Sequence, residues 1–154
     1  MSDDEGTTIR RARRADVPAI VAMLSDDFLG AKREYATDDP RYLEAFDRID
    51  TDPSELLVVA ESGGEPVGTL QLSWLLGLSR GGALRAQIEA VRVRSDQRGN
   101  RLGERLVRWA LDTARTEGAV LVQLTSDLKR ADAHRFYERL GFAHTHTGMK
   151  LTLG

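Results

Sequence analysis

The sequence predicts an α/β fold of the three-layer α+β kind, with helices on a mixed, mostly antiparallel sheet, in the order β-α-α-β-β-β-α-β-α-β. Three observations point there. Residues 56–61 and 66–76 are rich in strand formers and flank Ser62-Gly63-Gly64-Glu65, a hairpin signal. After Val93 the apolar period changes from two to three and four, with Leu102, Leu106, Trp109, Ala110 and Thr113 on one helical stripe. Residues 120–125 then form a short apolar run suited to a buried strand, and a further helical pattern follows it.

The remaining elements fit around these. Thr7 to Arg11 alternates as a short strand. Asp16 is placed to cap a helix that has Pro18 in its first turn and Val17, Ile20, Val21 and Leu24 at helical spacing. Tyr42, Leu43, Phe46 and Ile49 mark a second helix, closed by Asp52-Pro53, and the intervening residues 28–40 read as polar and irregular. Ser79 to Gly82 supplies a second turn before a strand over residues 83–93, which gives three successive antiparallel strands. Gly118 ends the long helix, as a helix C-terminus favours. Ala133, Phe136, Tyr137 and Leu140 mark the last helix, stopped by Gly141, and residues 142–153 return to strand. Residues 1–6 read as a flexible acidic tail and residues 7–154 as one domain, in keeping with 154 residues and the absence of repeats or low-complexity linkers.

Composition narrows the function. A hydrophobic fraction of 41% with no long apolar run argues against a membrane helix. Acidic residues at Asp3, Asp4 and Glu5 are the wrong start for a secretory signal, so a cytoplasmic protein is expected. The chain has no cysteine, which excludes disulfides, thiolate metal sites and a cysteine nucleophile. A net charge of -2 gives no bulk attraction for nucleic acid. His144 and His146 form a two-imidazole pattern without a third ligand nearby, so no metal is expected. Ser126, Asp127 and His134 contain the residue types of a hydrolase triad, but there is no nucleophile elbow.

The densest chemistry lies in residues 91–104. A strand with Val91, Arg92 and Val93 passes through a polar loop into the long helix. The free N–H groups and dipole of that helix start make an anion site, Gly99 and Gly103 let a phosphate approach the main chain, and Arg98 and Arg101 add charge. From spacing alone this is equally an ordinary surface turn.

Arg98-Gly99-Asn100-Arg101-Leu102-Gly103 resembles the pyrophosphate motif of the GNAT (GCN5-related N-acetyltransferase) superfamily, Arg/Gln-x-x-Gly-x-Gly/Ala, with Arg101 in place of its middle glycine. Residues 130–142, with Ala133, Phe136, Tyr137, Gly141 and Phe142, resemble the family's C-terminal Asn-x-x-Ala-x-x-Phe/Leu-Tyr-x-x-x-Gly-Phe signature, with Arg130 in place of the asparagine. Residues 124–142 are also similar to bacterial aminoalkylphosphonate N-acetyltransferases.

The resemblance implies a GNAT acyl-CoA N-acyltransferase fold of six to seven strands and about four helices, with acetyl-CoA as co-substrate. It implies that Val91, Arg92, Val93, Arg98, Gly99, Asn100, Arg101, Leu102, Gly103, Glu104, Ser126, Arg130, Ala133 and Phe136 bind the cofactor. Tyr137 takes the family role of protonating the leaving CoA thiolate, which suits a phenol whose ordinary pKa of about 10 keeps it protonated at neutral pH; without the resemblance it is a member of the apolar helix face. Glu89 is the base candidate, since period-two alternation places it on one strand face with Val91 and Val93; the competing reading is an exposed strand glutamate paired with a neighbouring arginine. The pantetheine arm is expected to add as a strand where residues 83–93 and 120–125 diverge, with a strand N–H, Val91's, facing the thioester oxygen.

The implied reaction is direct attack by a small-molecule primary amine. A protein or peptide acceptor and a non-catalytic acyl-CoA sensor are the alternatives. Residues 28–40, the second helix and residues 75–82 should set the acceptor, with Arg33, Arg80 and Arg85 suited to an anionic one and Glu34, Asp38 and Asp39 to a cationic one. Family members often form homodimers, and no feature of the sequence fixes an interface.

Overall fold

A computed structural model describes residues 6–27 and 29–154; the acidic tail up to Glu5, and Phe28 at the head of the expected acceptor segment, lie outside the described residues. The chain divides into two compact units, Met1–Gln123 and Leu124–Gly154.

The first unit holds a five-stranded sheet in sequential order, β1 (Thr7–Arg11), β2 (Glu55–Ser62), β3 (Glu65–Leu76), β4 (Leu84–Val93) and β5 (Leu121–Gln123). The first four strands pair antiparallel, and β5 joins β4 in parallel. The β2–β3 hairpin turns at Gly63 and Gly64, with φ of 58° and 81°; the positive φ is why glycine stands at both places. The helices of this unit are α1 (Val17–Ser25), the single turn α2 (Gly30–Arg33), α3 (Pro40–Thr51), the single turn α4 (Ser79–Gly82) and α5 (Leu102–Thr116).

Two layers cover the sheet. On one face Leu57 and Val59 pack with Ala12, Val17, Ile20, Val21 and Phe46, bringing α1 and α3 together over β2. On the other, Val58, Leu70, Leu72, Ala86 and Ile88 are buried, as are Leu106, Val107 and Ala110 of α5. Gly68 marks the close approach of that helix: a Cβ there would lie 2.9 Å from Leu106 Cδ1.

Asp16 does not cap α1 through its side chain. It ends a 3₁₀ turn, Arg14–Asp16, and its carboxylate turns back to accept from Arg10 at 2.7 and 3.0 Å and from the Arg13 N–H at 2.7 Å. Arg10 also reaches Glu61 at 3.2 Å, so the cluster ties β1, β2 and the α1 entry together. The Arg10 guanidinium holds the buried Asp16 carboxyl below the ordinary carboxylate range, against the opposing effect of burial. A side-chain cap is found at α3, where Asp39 accepts from the Arg41 N–H at 3.0 Å.

The second unit contains α6 (Ala131–Arg139). The strand expected over residues 142–153 is not formed. These residues have no ladder partner among the described residues, and Met149, Leu151 and Leu153 are 86–89% exposed; alternation without a paired edge does not make a strand. Among the described residues the sheet therefore has five strands rather than six to seven, and there are six helices rather than about four, since two single turns add to the four long ones.

Candidate active site

The site begins at a fault in β4. Gln71 pairs with Glu89 and Thr69 with Arg92, so Leu70 alone opposes both Ala90 and Val91. This is a β-bulge, and Ala90 carries its strain at φ 54°. An extra residue reverses the facing of everything beyond it. Glu89 therefore shares a sheet face with Arg92 and with the side covered by α1 and α3, whereas Val93, opposite Gly68, shares the α5 face with Ile88. The common face expected for Glu89, Val91 and Val93 is overturned, because simple alternation does not allow for the bulge.

On its own face Glu89 is exposed and belongs to a polar row. Glu55, Ser73, Gln87 and Gln123 stand directly opposite one another across four strands. Ser73 Oγ and Gln71 Nε2 both donate to Glu55 Oε2, at 2.8 and 2.9 Å. Gln87 Nε2 donates to Glu89 Oε1 at 2.6 Å, Gln123 Nε2 to Gln87 Oε1 at 3.0 Å, and an Arg85 guanidinium N–H to Gln123 Oε1 at 3.1 Å. The sequence reading missed Gln87, Gln123, Gln71 and Ser73. Their signal was present in the alternation Gln71-Leu72-Ser73 and Gln87-Ile88-Glu89, which places amides and hydroxyls where a buried sheet face would carry aliphatics.

Beyond Gln87, β4 has no partner strand on its β5 side among the described residues, since β5 ends at Gln123. That edge offers backbone groups over residues 88–93 and then runs through the 3₁₀ turn Ser95–Gln97 to α5. Arg94 braces the turn: it bonds Asp96 at 2.6 and 2.9 Å and Glu65 at 3.0 Å, and the guanidinium holds the Asp96 carboxyl low.

At the start of α5 no side chain caps the helix, and its N-cap, Arg101, is left-handed at φ 59°. Gly99 sits at φ 91°, and a Cβ there would meet nothing within 4 Å; it is needed for its backbone angle and not for space. The first-turn amides of a helix lack internal acceptors, so this uncapped end points N–H groups and positive dipole at whatever occupies the loop. Arg98 is exposed and 3.4 Å from Asp26. Asn100 is exposed, Gly103 is half-buried, and Glu104 pairs with Arg108 at 2.9 Å. Leu102 is buried, so among the expected cofactor contacts it offers its main chain and anchors the loop with its side chain. Arg92 lies 3.6 Å from Asp27 and donates to its neighbour, the Val91 carbonyl, at 2.9 Å.

The second unit carries the other expected residues. Tyr137 lies half-buried on α6, its ring edge-on to Phe136 at 5.1 Å and to Phe142 at 5.7 Å. Ser126, Arg130, Ala133 and Phe136 are half-buried too. Asp127 shapes the turn before the helix, its carboxylate accepting from the Lys129 N–H at 2.8 Å. His134 contacts the Asp127 main-chain oxygen, not the carboxylate, so these side chains are not arranged as a triad. His144 lies 3.4 Å from Glu138 and His146 bonds Thr145 at 2.6 Å.

Of the residues expected to set the acceptor, Glu34 accepts from the Tyr42 hydroxyl at 2.9 Å, and Asp39 is held by Arg41 with its pKa lowered to about 2. Both carboxylates are engaged in local structure.

Comparison with known proteins gives a consistent result. The acetyltransferase (GNAT) family description matches residues 17–142. The aminoalkylphosphonate N-acetyltransferase of Salmonella typhimurium is 30% identical over 138 residues, 90% of this chain and 86% of that protein. The crystal structure of a transcriptional regulator from Bacillus halodurans superposes with a TM-score of 0.92 at 44% identity, covering 96% of this chain and 99% of that one. Glucosamine-6-phosphate N-acetyltransferase from Arabidopsis thaliana shares the fold, with a TM-score of 0.80 at 21% identity over 97% of this chain and all (100%) of that one.

Proposed function

Since the chain belongs to the acetyltransferase (GNAT) family and is an acyl-CoA-dependent acetyltransferase, we propose that it moves the acetyl group of acetyl-CoA to the primary amine of a small molecule, by direct attack in a ternary complex. The observation that carries this reading is the unpaired β4 edge leading into the uncapped start of α5. An extended, amide-bearing pantetheine arm hydrogen-bonds to a strand edge as an added strand does, and a diphosphate suits a helix N-terminus. Val91 and Val93 then hold the arm through the main chain, with Arg92 between them on the strand. Arg98, Gly99, Asn100, Arg101, Leu102, Gly103 and Glu104 hold the diphosphate, and Ser126, Arg130, Ala133 and Phe136 contribute in the manner the family resemblance implies.

In the reaction the amine nitrogen bonds to the thioester carbonyl carbon and the C–S bond breaks. Glu89 takes the proton the amine loses, directly or through water, and the Tyr137 hydroxyl gives one to the departing sulfur and regains it from solvent. The products are an N-acetylated amine and the CoA thiol. The Val91 N–H faces the developing oxyanion, a type of contact whose removal elsewhere costs about 10²–10³ in rate. Amines bearing an anionic group are the first acceptors to test, because the 30%-identical relative is named for an aminoalkylphosphonate. The family match runs through the boundary between the two units and supports reading residues 7–154 as one functional domain.

The test is CoA thiol release from acetyl-CoA over a panel of aminoalkylphosphonates, polyamines, aminoglycosides, amino acids and peptides, with Tyr137→Phe and Glu89→Gln beside the wild type. Turnover of a small amine that both variants sharply slow supports the reading. Turnover of peptides alone makes the chain a peptide acetyltransferase. Acetyl-CoA binding without turnover makes it a sensor, a role compatible with that of the 44%-identical relative, a transcriptional regulator by name.

A further inference from the structure

The polar row beside Glu89 has a direction. An arginine guanidinium can only donate hydrogen bonds and an ionised carboxylate can only accept them, while a glutamine amide has one end of each kind. Arg85 therefore fixes the Gln123 oxygen toward itself, which turns the Gln123 nitrogen to Gln87 Oε1. That in turn commits the Gln87 nitrogen to Glu89 Oε1, at 2.6 Å. A chain that begins in an obligatory donor and ends in an obligatory acceptor has one consistent amide orientation, and all three hydrogen bonds agree with it.

The strand register isolates Glu89 further. Gln71 stands directly opposite Glu89 on β3, and its amide is the cross-strand donor at that register. It is held instead on Glu55 Oε2, which also takes the Ser73 hydroxyl. Glu89 is thus gripped from one side only: among the described residues Oε1 accepts from Gln87, and Oε2 has no hydrogen-bond partner.

We propose that Arg85, Gln123 and Gln87 are positioning residues, a hydrogen-bond relay that pins Oε1 of Glu89 and leaves Oε2 presented to the reacting amine. The inference rests on Glu89 acting as the base. It assigns Arg85 to the orientation of the base, and not to the grip on an anionic acceptor expected from its charge.

A double-mutant cycle on the full chain tests it, with acetyl-CoA and an amine that the wild type turns over. Arg85→Met should lower kcat about tenfold, the effect of losing one orienting hydrogen-bond chain, with the acetyl-CoA KM unchanged and partial recovery in Arg85→Lys. In a Glu89→Gln background the same Arg85→Met change should alter kcat less than twofold, because the relay then has no base to orient. An equal loss in both backgrounds overturns the proposal, as does a KM effect on the amine with kcat unchanged, which would return Arg85 to acceptor binding. Side-chain amide NMR gives a readout independent of turnover. The Gln87 Nε2–H₂ resonances should move in both Arg85→Met and Glu89→Gln, and unchanged resonances refute the relay. Full activity of Glu89→Gln would instead remove the base role while the NMR result still decides whether the relay exists.

Discussion

Replacing Asp16 by asparagine tests how the first unit is held together, and its size can be worked from the contacts. The Asp16 side chain is 8% accessible and accepts three hydrogen bonds, two from Arg10 and one from the Arg13 N–H. Asparagine keeps the shape and one acceptor but removes the charge, leaving the 18%-accessible Arg10 with Glu61 as its one charged partner among the described residues. Removing one partner of a fully buried ion pair costs about 3–5 kcal/mol; the retained Glu61 contact and the partial hydration of Arg10 bring the expected loss to about 2–3 kcal/mol. For a chain of this size that corresponds to a fall in Tm of roughly 5–10 °C.

The pH dependence follows from the same contacts. Arg10 lowers the Asp16 pKa in the folded state below the reference value of 3.8, so its stabilisation is complete above that value and is lost as pH falls through the folded pKa. Urea unfolding of wild type and Asp16→Asn at pH 7, 5 and 3 should show a constant gap at the first two and a narrower one at the third. A gap below about 0.5 kcal/mol at pH 7 would mean that the pair contributes no more than an exposed one. A gap undiminished at pH 3 would mean that the charge on Asp16 is not its source.

Other substitutions probe the site. Arg101→Gly should raise stability by about 0.5–1 kcal/mol, since glycine meets φ 59° without the left-handed penalty and gives back only part of that in chain entropy; urea unfolding measures it, with the acetyl-CoA KM nearly unchanged if the main chain holds the diphosphate. Gly99→Ala should do the opposite, costing about 1–3 kcal/mol at φ 91° and raising the acetyl-CoA KM roughly tenfold as the loop shifts. Tyr137→Phe keeps both edge-on ring contacts and removes the hydroxyl, so kcat for CoA thiol release should fall about 10²–10³.

Most of the element order was legible in the sequence, because its signals are local. Gly63-Gly64 specifies the hairpin, the Leu102-Leu106-Trp109 spacing specifies α5, and both stand where expected. The three misreadings share a different cause, since each depends on a partner distant in the chain. The bulge at Ala90 is visible only against β3, and without it Val93 falls on the same face as Glu89. Asp16 has the residue type and position of a cap, but Arg10 competes for its carboxylate and wins with two charge-assisted bonds. Residues 142–153 alternate like a strand, yet a strand is defined by its ladder and none is formed among the described residues. The candidate site divides in the same way. The phosphate loop is contiguous and could be read directly, whereas the Glu55-Ser73-Gln87-Gln123 row exists only once four strands are in register. Arg101 falls between these cases: a glycine motif position filled by arginine still adopts the left-handed angle that glycine would supply.

The most direct measurement follows the acetyl group itself. Wild-type protein is incubated with acetyl-CoA carrying a ¹³C-labelled acetyl group and the best amine of the panel, and CoA thiol and labelled product are quantified together. Acetyl transfer to a small amine predicts one equivalent of N-acetylated amine for each thiol released, with both sharply slowed in Glu89→Gln. Thiol release without labelled amide, or label confined to protein, would contradict it.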